Sequence, residues 1–578
     1  MSTVDGDFTV SFNGEIFNYI ELTRELEAKG HRFRTRSDTE VILHAYREWG
    51  VDCVQRFNGM FAFALWDATL RRLVLCRDRM GVKPLFYAPL PDGLVFASEL
   101  KALMLVPELD RSLHLGALAE YMAVGYVVHP RSMMAGVYKL PPGGIMVCSE
   151  RSEPEMRRYW MPRFEPDENA NKADLEEELR ALFDDAVALR LRSDVPIGIL
   201  LSAGVDSSAI AATVARLWPR LTTYCVGVDV GEGASNELEP ARRLAAELGV
   251  PHRELTLDAN EHGQRLFEAA QLLDEPLAEP MIGQLLAICR EVRRDCPVVL
   301  SGEGSDETWF GYTPYRTMHA LGLLRDLLPA SVTHNLASLV EHTHLPQKVD
   351  KYLRLLDKPL EERYLGLNYF DDEHKRSLFS PAVREELGAR DPLKPVRELY
   401  SDTYGLHPIA RMAAVDVRAW LVDNTLSRSD VISMATGLEL RVPFMDYRLV
   451  ELALRVPTNL KVNPFGQKVL LKDALSDRIP AWVRKRRKQG FPTPIAELFR
   501  QDWGRTAGEV LRSPCRATRD LFDWPRIGTM LVEHRERRAD WGRVLFQILV
   551  LEYWARRFDI DDAPAASWTS QSTLPPHP

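Results

Sequence analysis

Apolar residues along the chain follow two different rhythms, and the change comes near residue 160. Residues 9–12 are strand-like, and residues 20–29 and 39–49 have helical spacing that stops at Gly30 and Gly50. Short apolar runs at 60–66, 73–76, 85–88 and 94–97, parted by turn residues, predict strands. Two short helices followed by strands predict helices packed on a mostly antiparallel sheet. A polar stretch at 153–172 carries Pro154, Pro162 and Pro166 and is read as the domain junction. Beyond it strands at 197–201, 223–228, 252–257 and 298–300 alternate with helices at 207–218 and 237–248. Such a βαβ series predicts a parallel sheet with ligands at the strand carboxyl ends. Helical periodicity dominates from about 315, no internal repeat is present, and residues 562–578 read as a disordered tail.

Composition narrows the class without changing this outline. A chain of 578 residues, 46% hydrophobic and 27% charged, has room for two or three globular domains. A net charge of −9 and a pI near 5.9 argue against a general nucleic-acid binder, although a local anion site built from backbone N–H groups is still allowed. No segment is long and apolar enough for a membrane span. Residues 544–551, broken by Gln547 and ended by Glu552, predict a buried helix instead. The first residues have neither the basic nor the apolar region of a signal peptide. Seven scattered cysteines with no CxxC pair read as buried thiols in a reducing cytoplasm.

Four segments carry candidate chemistry. In the first, Ser202-Ala203-Gly204-Val205-Asp206-Ser207-Ser208, a strand enters a small-residue loop that opens a helix. Small side chains let backbone N–H groups reach an anion, and the hydroxyls of Ser202, Ser207 and Ser208 add donors. No Lys follows Gly204, so this is not a Walker loop; an ordinary capped helix is the plainer alternative. The second, Ser301-Gly302-Glu303-Gly304-Ser305-Asp306-Glu307, places acidic groups directly after a strand. Asp206 and Asp306 could share Mg²⁺, whose hard oxygen ligands would bridge a polyphosphate; a solvated acidic turn is the alternative. In the third, running from Ser433 to Asp446, Glu439 and Arg441 could clamp a zwitterionic amino acid or form a surface ion pair. The fourth, Arg484-Lys485-Arg486-Arg487-Lys488-Gln489-Gly490-Phe491, also reads as a solvated basic face.

Together and in this order the four segments resemble those of the glutamine-dependent asparagine synthetase family, over nearly the whole chain. They match its SGGxDSS, SGEGADE, SMAxxLExRVPFLD and RxKxGF patterns. Upstream, Phe12-Asn13-Gly14-Glu15-Ile16-Phe17-Asn18 resembles FNGEIYN, and Ser37-Asp38-Thr39-Glu40 matches SDTE. Residues 59–64, 77–84 and 96–99 match further motifs of the family's glutaminase domain. The fold implied is mixed α/β and α+β. An incomplete N-terminal-nucleophile αββα sandwich over 1–160 precedes a parallel-sheet ATP-pyrophosphatase domain over 173–561 that is largely helical toward its end.

The resemblance also implies a reaction. The aspartate side-chain carboxylate is adenylated by Mg-ATP, pyrophosphate leaves, and ammonia attacks the acyl-adenylate. Leu201, Val226, Ser301 and Gly302 would contact ATP, Lys488 would stabilise phosphate and oxyanion charge, and Glu303 would take a proton from ammonia. Asn13 and Gly14 would supply an oxyanion hole for glutamine, with Glu15 beside them and Asp38 on the glutamine amine. ATP, aspartate and ammonia or glutamine are the implied partners, with no nucleic acid or membrane and with a homodimer left open.

Three departures qualify this. The family's nucleophilic Cys and RGPD segment are missing, and Ser2 and Thr3 stand at the start. Because the family commonly has Gln-Pro-Met shortly before FNGEIYN, Met1 is expected to be an internal methionine of a longer chain. Without the Cys, the chain as written would need free ammonia as nitrogen source, unless the true start lies upstream. Ala203 replaces a loop Gly, which is tolerable where φ stays negative. Val431-Ile432 replaces Arg-Met or Arg-Asn after Asp430, which bears on the acceptor carboxylate. Two rival readings remain: a ring-closing ligase of the β-lactam synthetase or lasso-peptide cyclase type, and an inactive paralogue kept as a binding module.

Overall fold

The computed structural model describes residues 1–150, 152–218, 221–229, 237–329, 332–333, 353, 355–356, 358–367, 375–463, 466–486 and 495–558. The expected tail at 562–578 and Lys488 lie outside the described residues. In the first part, eight strands run in chain order: β1 (Phe8–Ile16), β2 (Gly59–Asp67), β3 (Arg72–Arg77), β4 (Phe86–Leu90), β5 (Gly93–Ala97), β6 (Tyr138–Lys139), β7 (Gly144–Ser149) and β8 (Ser152–Arg158). They form one antiparallel sheet, β1-β2-β3-β7-β8, and a smaller one, β5-β4-β6.

The alternation of side chains along β2 sets the layers. Phe61, Phe63 and Leu65 face Val41, Ile42 and Tyr46 of the helix Asp38–Trp49. Ala62 and Ala64 face the other way, toward Leu85, Tyr87 and Leu140 at the second sheet. Burying each of those phenylalanines contributes roughly 1.5–3 kcal/mol. That helix starts where Ser37 Oγ accepts the Thr39 N–H, and it stops at Gly50 with φ of 60°. One sequence expectation is corrected here. The start of the supposed junction, Ser152–Arg158, is β8, an edge strand paired with β7 from Gly144↔Arg158 to Ser149↔Ser152. An edge strand with one exposed side can be as polar as a linker, so composition misplaced it.

The second part is built on β9 (Ile197–Leu200), β10 (Thr222–Asp229), β11 (His252–Asp258), β12 (Val298–Leu300) and β13 (Glu439–Arg441). Every pairing in the order β11-β10-β9-β12-β13 is parallel, as the alternating pattern predicts. Strand order reverses between β9 and β12, and the loops leaving their carboxyl ends open the crevice where such sheets bind ligands. The predicted buried helix is Gly542–Arg557. None of the seven cysteines forms a disulfide, and no helix among the described residues is long and apolar enough to cross a membrane.

Charged contacts join the two parts. Buried Asp446 accepts from Asn58 Nδ2 at 2.9 Å, Arg190 Nη1 at 3.0 Å and Arg448 Nη2 at 2.9 Å. Burial alone would raise its pKa, but the Arg190 charge and the Arg448 and Asn58 hydrogen bonds hold it well below the usual carboxylate range. A depressed folded-state pKa gives stability that is present above the unfolded value near 4 and lost as pH falls below it. Asp446→Asn, which strands Arg190, is expected to cost roughly 3–5 kcal/mol near neutral pH. Thermal melts should show the gap to wild type closing as pH drops below about 4.

Candidate active site

The first loop is set by the end of β9. Leu201 N–H donates to the Tyr224 carbonyl at 2.8 Å, so pairing with β10 runs one residue past the strand. The chain then turns through Ser202–Ala203–Gly204 into the helix Val205–Leu217. Ser207 Oγ accepts the Ser202 N–H at 3.2 Å and donates to the Gly204 carbonyl at 3.3 Å, which folds the loop onto the helix start. Ser208 Oγ is buried without a partner among the described residues. Val226 lies buried on neighbouring β10. Ala203 does not meet the condition under which its methyl is tolerable, since its φ is +49° rather than negative. An L-residue held in the left-handed region costs roughly 1–2 kcal/mol, and loops that hold ligands tolerate such strain.

The second loop leaves β12, where the Ser301 N–H donates to the Arg441 carbonyl at 2.9 Å. Gly304 has φ of +82°, and a Cβ there would sit 2.1 Å from Met445 Cε. Gly302 lies directly on the first loop, because a Cβ there would be 2.9 Å from Asp206 Cβ. Ser305 Oγ donates to Asp206 Oδ1 at 2.7 Å.

Lys468 brings the two acidic residues to one point. Its Nζ lies 2.7 Å from Asp206 Oδ1, 2.6 Å from Asp306 Oδ1 and 3.2 Å from Ser305 Oγ. Both carboxylates thus face one buried ammonium. Among the described residues no group of three or more His, Cys, Asp or Glu side chains could hold a metal by itself. A hard cation here would take its remaining ligands from phosphate and water. Lys468 itself has φ of +54°. Gly311 makes room for the cluster: a Cβ there would meet Asp306 Oδ1 at 2.0 Å and Lys468 Cε at 2.2 Å. Gly311→Ala is expected to lower turnover about tenfold or more, as a roughly 1 Å displacement at a site can cost 10²-fold. Turnover and melting temperature measured together check this, with the melting temperature moving little.

Glu303, in the same loop as Ser305 and Asp306, has its carboxyl buried. Ser429 Oγ donates to Oε1 at 2.6 Å, while Oε2 has no hydrogen-bond partner among the described residues. Burial raises its pKa, opposed by the Arg428 charge and the Ser429 hydrogen bond. A carboxylate with one oxygen held and the other unused is suited to accept a proton.

Glu439 and Arg441 pair with each other at the junction of the two parts. Arg441 donates to Glu439 Oε1 at 2.6 Å and to the carbonyls of Arg190 at 2.9 Å and Arg192 at 2.7 Å, and its Nη2 lies 3.4 Å from Glu15. Its guanidinium is committed to the junction, which argues against a grip on a free amino acid. Val431 and Ile432, at the family's Arg-Met position, are buried in the core. In the basic run, Arg486 pairs with Glu237 at 2.9 Å and donates to the Ser202 carbonyl at 3.4 Å, so it lies against the first loop rather than in solvent.

The candidate glutamine residues converge on β1. Asn13 Nδ2 donates to Ser98 Oγ at 3.0 Å, and Gly14, with φ of +135°, is a position where a Cβ would lie 2.1 Å from the Met60 carbonyl oxygen. Asp38 Oδ2 accepts the Ile16 N–H at 2.9 Å. Burial, with Glu439 nearby, pushes the Glu15 carboxyl up to about 7. Ser2 is bridged to Thr9, four residues and therefore about 14 Å along the strand from Asn13, and so does not reach that site.

Sequence reasoning missed Lys468, Ser305 and Ser429. Ser305 lay inside a recognised motif, whereas a lone Lys after Gly466-Gln467 and a Ser in a helix carry no local signal.

Comparison with known proteins decides the family. A family model described as asparagine synthase matches residues 178–556, and one described as a glutamine amidotransferase domain matches residues 1–160. The chain belongs to the asparagine synthase family. Its family makes it an ATP-dependent ligase. A putative glutamine-hydrolysing asparagine synthetase of Mycobacterium tuberculosis is 37% identical over 95% of this chain and 84% of that one. Glutamine-hydrolysing asparagine synthetase 1 of Bacillus subtilis is 32% identical over 96% of this chain and 86% of that one. Both favour an asparagine synthase over the ring-closing ligases.

Proposed function

We propose that this asparagine synthase family member converts aspartate, ATP and ammonia into asparagine, AMP and pyrophosphate. The observation that carries the reading is Lys468, whose ammonium gathers Asp206 and Asp306 from the loops at the switch point of the sheet. A carboxylate oxygen is a poor leaving group, so the aspartate side chain must first be activated. Its oxygen attacks the α-phosphorus of ATP, the bond to the β-phosphate bridge breaks, and pyrophosphate departs.

The chain's residues divide this work. Backbone N–H groups at Gly204 and the helix start, with the hydroxyls of Ser202, Ser207 and Ser208, cradle the pyrophosphate. Leu201, Val226, Ser301 and Gly302 border the rest of the nucleotide. Lys468 offsets the charge that develops on the departing phosphates. Lys488 keeps a phosphate-side role, supported by Arg486 lying against Ser202 two residues earlier. Asp206 and Asp306 are the donors that would hold Mg²⁺, which when bound would neutralise polyphosphate charge. In the second step ammonia adds to the acyl-adenylate carbonyl, Glu303 takes a proton from the nitrogen, and AMP leaves.

Asn13, Gly14, Glu15 and Asp38 are assigned to glutamine. We expect ammonia, supplied free or from glutamine, to serve as nitrogen donor. Aspartate-dependent pyrophosphate release, assayed with ammonium and with glutamine, tests the proposal. Release with aspartate and ammonium supports it, and no release with any amino acid sinks it.

A further inference from the structure

Three consecutive residues of the helix Ser427–Met434 point to three different places. Arg428 Nη1 donates to Asn424 Oδ1 within the preceding π-helical turn, Asp416–Leu426. Ser429 Oγ donates to Glu303 Oε1 at 2.6 Å. Asp430 Oδ1 accepts from Lys83 Nζ at 2.7 Å, a pair whose side chains are 9% and 1% exposed. Lys83 belongs to the amidotransferase part, in a loop that is pinned on both sides. Its N–H donates to Asp78 Oδ2 at 2.9 Å, and its carbonyl accepts from Arg77 Nε at 2.8 Å. The same Arg77 also holds the carbonyls of Gly81 at 2.9 Å and Leu140 at 2.8 Å.

A rigid loop of one domain therefore grips the residue next to the only hydrogen-bond donor on Glu303 among the described residues. We propose that Ser429 is the positioning residue for the Glu303 carboxylate, and that the Lys83–Asp430 pair makes this positioning depend on the docked amidotransferase domain. The inference rests on Glu303 acting as the base in the second step.

A hydroxyl that donates to one carboxylate oxygen stabilises the ionised form, so Glu303 can accept a proton at lower pH than its burial would otherwise allow. The same bond fixes the rotation of the carboxyl group, so that the unused Oε2 keeps one direction. Among the described residues, the charged and titratable groups facing Glu303 are Arg428, on the helix of Ser429, and Cys289, on the helix Ile282–Arg293. Asp430 is satisfied by Lys83 and leaves Glu303 unopposed. If Lys83 were removed, a buried carboxylate without its cation would pull the helix turn toward other partners.

The test is the pH profile of ammonia-dependent asparagine formation in the full chain. Ser429→Ala is expected to move the acid limb up by about one pH unit, since a hydrogen bond to a charged group is worth roughly that. Aspartate-dependent pyrophosphate release should stay within about twofold of wild type, because the first step does not use Glu303 as a base. Ser429→Thr should restore the limb. Lys83→Gln should reproduce part of the shift, and a Lys83→Gln profile lying on wild type overturns the dependence on docking. A merely structural Ser429 would lower rates at every pH and leave the limb in place, which overturns the proposal. Glu303→Gln separates this from failure of the base assignment. If Glu303→Gln is as active as wild type, that assignment fails. If it is inactive while the Ser429→Ala limb is unmoved, only the positioning role fails.

Discussion

Glu303→Gln is expected to cut ammonia-dependent asparagine formation by about 10²–10⁴-fold while leaving the first burst of aspartate-dependent pyrophosphate in place. Glutamine has nearly the shape of glutamate and can still meet Ser429, so the fold should survive. What it lacks is a group able to take a proton from the attacking nitrogen. Burial raises the Glu303 pKa, so wild-type amidation should fall as pH drops through that raised value, where the carboxylate becomes protonated. Single-turnover measurement of pyrophosphate and asparagine in the same reaction separates the two steps. Asparagine formation at the wild-type rate would remove Glu303 from the mechanism.

Lys468→Met should fail at the earlier step. Methionine fills the volume but takes away the ammonium that Asp206 and Asp306 share at 2.7 Å and 2.6 Å. Pyrophosphate release is expected to fall by roughly 10²–10³-fold, the scale seen when a preorganised charge-stabilising group is lost. The two carboxylates would then repel each other, and a rise in the ATP concentration needed for half-maximal rate should accompany the loss. Unchanged pyrophosphate release in Lys468→Met would place charge stabilisation elsewhere, with Lys488 as the group to test next. Glu303→Gln and Lys468→Met therefore stop the reaction on opposite sides of the acyl-adenylate.

Both loops at the switch point were legible because their signals are local. A short apolar strand, then small or hydroxylated residues, then a helix start occupies about ten consecutive positions at 199–208. The helix stops at Gly30 and Gly50 were local in the same way. β8 was misread because an edge strand is allowed to be polar, so composition alone could not tell it from a linker. The turn that joins β9 to its helix puts Ala203 in the left-handed region, and the sequence does not reveal that demand.

By itself, then, the sequence determined the two-part organisation, the parallel sheet, the two loops at its switch point and the family to which they belong. Tertiary structure alone decided which side chains complete them. Lys468 reaches Asp206 across 262 positions of chain, and Ser429 reaches Glu303 across 126. Nothing in the neighbours of either residue marks it, because the partner that gives it a role is supplied by packing. Arg441 makes the converse case. Its motif suggested a ligand clamp, but the fold placed its guanidinium against the carbonyls of Arg190 and Arg192 at the domain junction. Backbone conformation follows from short stretches of chain, whereas the partner of a long charged side chain is fixed only when distant segments have docked.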